Sequence, residues 1–208
     1  MTLIILGQCH DENDEGAKTK EGRTERYLAH TINKACQAKL LDEGLLTLYQ
    51  NKGNLYQRVD AINDLSQTMK VDLAVEVHMN SSPAQERKGF FLMCWHTSST
   101  AMRVAKKIAG ELRFMKREDL GLNLVDHARR WINSPKEYGS APSLTWLEDI
   151  RCPSLIVEVA HLSNEKEAHW IERLENRILV GEAVARGIIE HYLEVSDAEL
   201  PATSGTVT

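Results

Sequence analysis

The sequence predicts a three-layer α/β/α domain, with helices on both faces of a largely parallel, twisted sheet of about six strands. Short apolar runs alternate along the chain with segments of helical periodicity, which is typical of α/β folds. The runs are continuous rather than alternating with polar residues, so both faces of the sheet are expected to be covered. The 208 residues suit one domain over residues 1–193, followed by a flexible tail over 194–208.

The first half of the chain predicts three strands and two helices. The strands are the apolar runs at residues 2–6, 45–49 and 72–78. A polar loop over 11–23 precedes a helix of about 18 residues, which begins after its N-cap Thr24 and stops before Gly44. The second helix is predicted from an apolar face that consists of Leu55, Val59, Ile62, Leu65 and Met69.

The second half continues the alternation around an irregular centre. A strand over 89–95 precedes a helix from about Ser99, and a strand over 153–160 precedes a final helical region capped by Asn164. The centre is rich in turn residues, although "LTWL" at 144–147 is a candidate edge strand. The residues expected to pack from the last two long helices are Ala101, Val104, Ala105, Ile108, Leu112, Ile178, Ala183, Val184, Gly187, Ile188 and Tyr192.

Charge and composition exclude several classes of partner. Lys and Arg total 25 and Asp and Glu total 30, and no basic block is present, so we expect no nucleic-acid partner. No apolar stretch approaches the ~18 residues of a membrane span, and the N-terminal apolar run is too short for a signal peptide. The four scattered cysteines are expected to be free thiols. We expect a monomer that is synthesised in the cytoplasm without a signal peptide.

Four chemically reactive side chains lie where predicted strands end. His10 follows the first strand, Glu76 and His78 lie in the third, and Glu158 lies in the last. Side chains alternate across a strand, so Glu76 and His78 point to the same face. Ionisable groups near the end of an apolar strand are costly unless they are paired. A metal, a substrate and a hydrogen-bond network are the open alternatives for the partner.

A zinc site is one chemistry that these residues permit. Catalytic zinc takes three protein ligands from His, Glu or Asp, and His10 and His78 offer two nitrogens that a carboxylate would complete. A second carboxylate that does not bind the metal can then serve as general base and acid. No H-E-x-x-H motif is present, and the candidates are spread over about seventy residues. Spacing alone therefore does not identify a metal site.

Six segments, in order along the chain, carry a resemblance to a known family. "ILGQCH" ends at His10, "TERYL" contains Glu25, and "LYQRVDAIN" forms part of the second predicted helix. "VDLAVEVHMNSS" contains His78, "GFFLMCW" follows it, and "CPSLIVEVAHLSN" contains Glu158. Over residues 2–193 these segments resemble the zinc-dependent N-acetylmuramoyl-L-alanine amidases of the amidase-3 type, which include cell-wall hydrolases and phage endolysins.

The resemblance implies a reaction and a role for each site residue. His10, Glu25 and His78 would bind Zn2+, and Glu158 would activate water. Residues 1–193 would form a catalytic domain that hydrolyses the amide bond between N-acetylmuramic acid and L-alanine of peptidoglycan. The chain would act on the cell wall after release, in cell lysis. Glu21, four residues before Glu25, is an alternative third ligand.

The sequence also departs from the family pattern. The usual "D-P-G-H-G-G" is replaced by "LGQCHDE", so the loop after His10 is more acidic and has lost the two glycines that directly follow the histidine in the family pattern. Cys9 adjoins His10, but strand alternation predicts that it faces away. Glu76 replaces a serine, and it either contacts His78 or the metal or pairs with a basic residue. His161, which follows the last predicted strand, is a candidate for oxyanion stabilisation.

Three other functions stay open at this point. A zinc carboxypeptidase or endopeptidase acting on the peptidoglycan stem peptide would use the same metal and glutamate. An inactive wall-binding module would share the fold without turnover. A cysteine hydrolase built on Cys152 or Cys94 is a further alternative, but neither cysteine lies in a recognisable nucleophile turn.

Overall fold

The chain folds into a six-stranded sheet with helices on both faces. A computed structural model describes residues 1–95, 97–115, 130–132 and 145–199. The strand order is β2-β1-β3-β6-β4-β5. The strands are β1 (Leu3–Gln8), β2 (Leu46–Gln50), β3 (Leu73–Asn80), β4 (Phe91–Trp95), β5 (Arg130–Ile132) and β6 (Ser154–His161). The helices are α1 (Glu25–Asp42), α2 (Leu55–Thr68), α3 (Ser99–Phe114), α4 (Thr145–Asp149), α5 (Glu165–Glu172) and α6 (Leu174–Glu199).

The predicted fold class is confirmed. The neighbours β2, β1, β3 and β6 are parallel, and only the β4–β6 pair is antiparallel among the strand pairs that the described residues form. One apolar cluster joins the sheet to α1, α3, α5 and α6, and a second joins its other face to α2 and α4. Successive residues of β1 illustrate the division, because Ile4 belongs to the first cluster and Ile5 to the second.

Some predicted details are wrong. Residues 145–147 of the "LTWL" segment lie in helix α4 rather than in an edge strand, and both Trp146 and Leu147 are buried in the second cluster. A short apolar run cannot separate the two structures by periodicity. Met69 lies past the end of α2 and Ile178 on the outer side of α6, and they are 45% and 39% exposed. Helix α6 includes residues 194–199 of the predicted tail, whereas 200–208 and the rest of the turn-rich centre lie outside the described residues.

Helix α6 packs unusually close to two other helices. A Cβ atom at Gly181 would lie 2.4 Å from the carbonyl oxygen of Ile32 in α1. A Cβ atom at Gly187 would lie 2.5 Å from the backbone nitrogen of Ile108 in α3. Glycine is therefore required at both positions, and α6 fixes α1 and α3 against the same face of the sheet. No helix among the described residues is long and apolar enough to cross a membrane.

Candidate metal centre

Three of the four predicted site residues meet at the carboxyl ends of β1 and β3. One ligand atom each from His10, Glu25, His78 and Cys9 lies within 4.8 Å of the others. The two glutamate oxygens divide between the imidazoles: Oε2 lies 3.1 Å from Nε2 of His10, and Oε1 lies 3.0 Å from Nδ1 of His78. The convergence of two imidazoles on one carboxylate produces a donor set suited to zinc.

Local structure explains why these residues meet. Strands β1 and β3 are parallel neighbours, so residues at their carboxyl ends share one edge of the sheet. Thr24 caps α1 through a hydrogen bond from the backbone of Tyr27, which places Glu25 in the first turn. The loop before α1 then holds the carboxylate, because Ala17 donates its backbone N–H to Oε2 of Glu25 at 3.1 Å.

The position of Cys9 corrects the sequence prediction. Its sulfur belongs to the same group of donor atoms, although alternation predicted that it would face away from His10. Strand β1 ends at Gln8, and His10 has a φ of 58°, which lies in the left-handed region. Alternation does not extend past a strand end into such a turn. Burial, followed by the charge of Glu25, raises the pKa of the Cys9 thiol well above its usual value.

Each imidazole has a carboxylate at its second nitrogen. Nδ1 of His10 lies 3.2 Å from Asp14, and Nε2 of His78 lies 3.2 Å from Glu76. Histidines that bind metals commonly use the second ring nitrogen in this way, which fixes the ring orientation and the tautomer. The donor set and its outer carboxylates therefore fit a divalent metal ion.

The electrostatics of the cluster favour a cation between the imidazoles. Burial opposes ionisation of Glu25, but hydrogen bonds from His10 and His78 outweigh it and hold the pKa of the carboxyl well below its usual range. Burial alone would lower the pKa of His78, but its contacts with Glu25 and Glu76 raise that pKa well above the usual value. The surrounding carboxylates thus stabilise positive charge at this point, which a proton or a metal ion can supply.

Glu158 lies beside this cluster on β6. The strand register pairs it with His78, so both side chains leave the sheet on the same face. Its Oε2 atom is buried without a hydrogen-bond partner among the described residues. Burial raises the pKa of Glu158 to about 7, with the charge of Glu25 adding to the rise and that of His78 opposing it. A partly buried carboxyl with a pKa near neutrality is suited to take and return a proton.

The two alternatives for Glu76 are both realised. One oxygen pairs with the guanidinium of Arg58 at 3.3 Å, and the other contacts His78.

Asn63, in helix α2, has a structural role, because it donates a hydrogen bond to the carbonyl of Asp149 and accepts one from the backbone of Arg151.

Asp14 was not predicted as a site residue from the sequence, and Cys9 was predicted to face away from the site. The only available signal for Asp14 was the acidic loop that directly follows His10, and such loops are usually solvated surface. Glu21, the alternative third ligand, lies exposed in a turn before α1. His161 is buried at the end of β6, and its proposed role in oxyanion stabilisation stays a prediction.

A three-layer α/β fold with two imidazoles, a helix-borne carboxylate and a further glutamate grouped near the carboxyl ends of its strands defines a candidate metal-dependent hydrolase. The chain belongs to the N-acetylmuramoyl-L-alanine amidase family (Amidase_3), whose sequence profile matches residues 4–190. The resemblance found in the sequence is thereby confirmed at the level of the family.

Individual relatives agree with this assignment. The chain is 24% identical over 144 residues to the germination-specific N-acetylmuramoyl-L-alanine amidase of Bacillus subtilis (strain 168), which covers 69% of this chain and 53% of that protein. The chain thus spans about half the length of this curated relative.

Solved structures share the fold. The amidase AmiC2 of Nostoc punctiforme superimposes with a TM-score of 0.73 at 18% identity, over 93% of this chain and 97% of that one. The catalytic domain of the amidase CwlV from Bacillus (Paenibacillus) polymyxa var. colistinus gives a TM-score of 0.72 at 21% identity, over 94% and 99%.

Proposed function

We propose that this chain hydrolyses the amide bond between N-acetylmuramic acid and L-alanine in peptidoglycan, and does so with Zn2+. Family membership supports the reaction, and the meeting of His10, Glu25 and His78 at one point supports the metal. That meeting is the observation on which the proposal rests most, because these residues are far apart in the sequence. The proposed site of action is the cell wall, and the proposed context is cell lysis.

The proposed roles follow from the geometry. His10, Glu25 and His78 hold the ion, which when bound supplies Lewis acidity towards the lactyl carbonyl and the attacking water. Cys9 is left out of the ligand set because the family resemblance implies the other three residues, and a catalytic zinc keeps its fourth position for water.

Glu158 acts first as the general base and then as the general acid of the proposed reaction. Its carboxylate accepts a proton from water as the water oxygen bonds to the lactyl carbonyl carbon. The same group then donates that proton to the alanine nitrogen as the carbon–nitrogen bond breaks. Burial raises the pKa of Glu158 to about 7, and a bound divalent ion would lower it, so the carboxylate that accepts the proton is available at neutral pH.

The decisive test combines product analysis with metal content. The purified chain should release peptides with a free N-terminal alanine and leave muramic acid with a free lactyl carboxyl group. Glu158→Gln should keep one zinc per chain and lose about 10²- to 10⁴-fold in turnover, which is the usual contribution of a general acid–base group. Glu182→Gln, which changes a partly exposed glutamate of α6, is the matched control and should behave as the parent chain.

The products also separate the competing functions. Released amino acids, or cleavage within the stem peptide, would replace the proposal by a carboxypeptidase or endopeptidase. Wall binding without any cleavage in the presence of zinc would identify a binding module. Loss of activity on thiol alkylation with zinc retained would favour a cysteine hydrolase instead.

A further inference from the structure

We propose that Arg58 and Glu76 form a buried positioning pair that holds both histidine ligands and so sets the zinc affinity of the site. The inference rests on the proposed function only in taking His10, Glu25 and His78 as the ligands. It concerns two residues that touch the ligands rather than the substrate.

Glu76 connects the pair to the first histidine ligand. The residue is only 1% exposed, and its two oxygens have different partners. Oε2 lies 3.2 Å from Nε2 of His78, and Oε1 lies 3.3 Å from the guanidinium of Arg58. Because Nδ1 of His78 faces Glu25, the contact with Glu76 fixes the ring so that Nδ1 is the nitrogen presented to the metal.

Arg58 connects the pair to the second histidine ligand. Its side chain is 2% exposed and enters from α2. One guanidinium nitrogen bonds Glu76, and the other donates to the carbonyl oxygens of Gly53 at 2.8 Å and His10 at 3.4 Å. The second contact reaches the residue whose backbone is in the left-handed conformation. Arg58 therefore holds the turn that directs the imidazole of His10 towards Glu25.

The surrounding structure leaves space for this pair. Gly7 is the register neighbour of Glu76 on β1. A Cβ atom at Gly7 would lie 2.7 Å from Cγ of Glu76 and 2.3 Å from the ring of Trp146. Any side chain at position 7 would displace Glu76 from its place under His78. The absence of a side chain at Gly7 therefore leaves the space that Trp146 and Glu76 occupy.

Energetics argue that the pair does more than stabilise the fold. Burying two charges is costly, and apolar residues of similar size are often as stable or more stable than a buried ion pair. An ion pair that served only packing would have no need of partners in a ligand set. Here Glu76 contacts the ring of His78 and Arg58 contacts the backbone carbonyl of His10, so the pair is placed to orient both histidines.

The test measures zinc affinity by competition with a chromophoric chelator, and stability by urea unfolding in excess chelator. Glu76→Gln should weaken zinc binding about 10- to 100-fold, the usual cost of removing an outer carboxylate from a metal-bound histidine. Because it also leaves Arg58 buried without a counter-charge, this variant should lose stability in the metal-free state.

The double variant Arg58→Met/Glu76→Gln separates positioning from stability. Removing both charges should restore much of the metal-free stability while zinc affinity stays 10- to 100-fold below that of the parent. The matched control is Arg186→Met/Glu111→Gln, which removes a 2.6 Å ion pair between α6 and α3 on the opposite side of the sheet from α2. The control should leave zinc affinity unchanged.

Two outcomes would overturn the inference, and they differ in what else they remove. If the parent chain binds zinc and the double variant binds it equally tightly, the pair is structural and the proposed function stands. If the parent chain binds no zinc at all, the proposed function and this inference fail together.

Discussion

The site has two histidine arms, each consisting of a histidine and the outer carboxylate at its second nitrogen. The two arms make the same kind of contact, but the arm of His10 and Asp14 is exposed to solvent and the arm of His78 and Glu76 is buried. His10 is 21% exposed in its side chain, and its outer partner Asp14 is 72% exposed in a surface loop. His78 is 10% exposed, and its outer partner Glu76 is 2% exposed between strands and helices. Water and salt screen the first contact strongly and the second hardly at all. The comparison shows that distance alone, 3.2 Å in both arms, does not measure what a contact contributes.

The largest expected effect comes from the residue that both arms share. Glu25→Gln removes the charge between the two imidazoles, so zinc binding should weaken by more than the ~100-fold that an outer carboxylate can contribute. Glu21→Gln changes an exposed acid just upstream and should bind zinc as the parent chain does. Equal affinities for the two variants, measured by chelator competition, would show that Glu25 is not a ligand.

The pH dependence of kcat/KM tests the buried arm, because Glu158 lies beside His78 and Glu76. The pKa of Glu158 is raised to about 7, and only the carboxylate can accept a proton. We therefore expect kcat/KM to fall about tenfold per pH unit below an acid limb at pH 7 or lower, since a bound divalent ion stabilises the carboxylate.

The charge of Glu76 contributes to the rise in that pKa. At saturating zinc, Glu76→Gln should therefore move the acid limb to lower pH. A limb that keeps its position in this variant, or that survives in Glu158→Gln, would assign the titration to another group.

A smaller effect is expected in the exposed arm. Asp14→Asn removes a solvent-exposed contact, and exposed ion pairs contribute about 0–1 kcal/mol, or less than about sixfold in affinity. Zinc affinity should fall by no more than this amount, and the difference should shrink as salt is added. A loss as large as that of Glu76→Gln, measured in the same chelator competition, would contradict the division between the arms.

The smallest effect is expected at Cys9. The thiol lies among the donor atoms, but His10, Glu25 and His78 would already supply the three protein ligands of a catalytic zinc site. Cys9→Ser should therefore retain one zinc per chain and nearly full turnover. Loss of zinc from this variant, with its fold intact by circular dichroism, would make Cys9 a fourth ligand and close the position that catalysis needs.

The sequence predicted the layers of the fold better than the details of the site. The apolar runs that became β1, β3 and β6 are short but nearly continuous, so their burial follows from composition. The identity of α4 did not follow, since five residues with Trp146 and Leu147 at their centre suit either a helix or a strand. Its structure depends on packing against a distant part of the chain.

The site residues were predictable to different degrees for physical reasons. His10 and His78 were candidates because they lie where predicted strands end, and Glu25 was added through the family pattern. The meeting of the three residues reflects strand order, which periodicity does not reveal. The contact between Arg58 and Glu76 joins a helix to a strand, and neither spacing nor composition specifies such a pair. The contribution of Cys9 and Asp14 depends on the left-handed backbone of His10, and turns of that kind are poorly encoded by side-chain pattern.

The close approach of α6 to α1 at Gly181 has a consequence for engineering. Helix α1 begins at Glu25, so a side chain added at Gly181 would push α1 outward. The Glu25 carboxylate would then shift relative to the rings of His10 and His78. The packing of α6 on α1 thus constrains the position of a carboxylate in the candidate metal site. None of the residues in this contact belongs to the candidate metal site, so a substitution at Gly181 would act on the site only by moving α1.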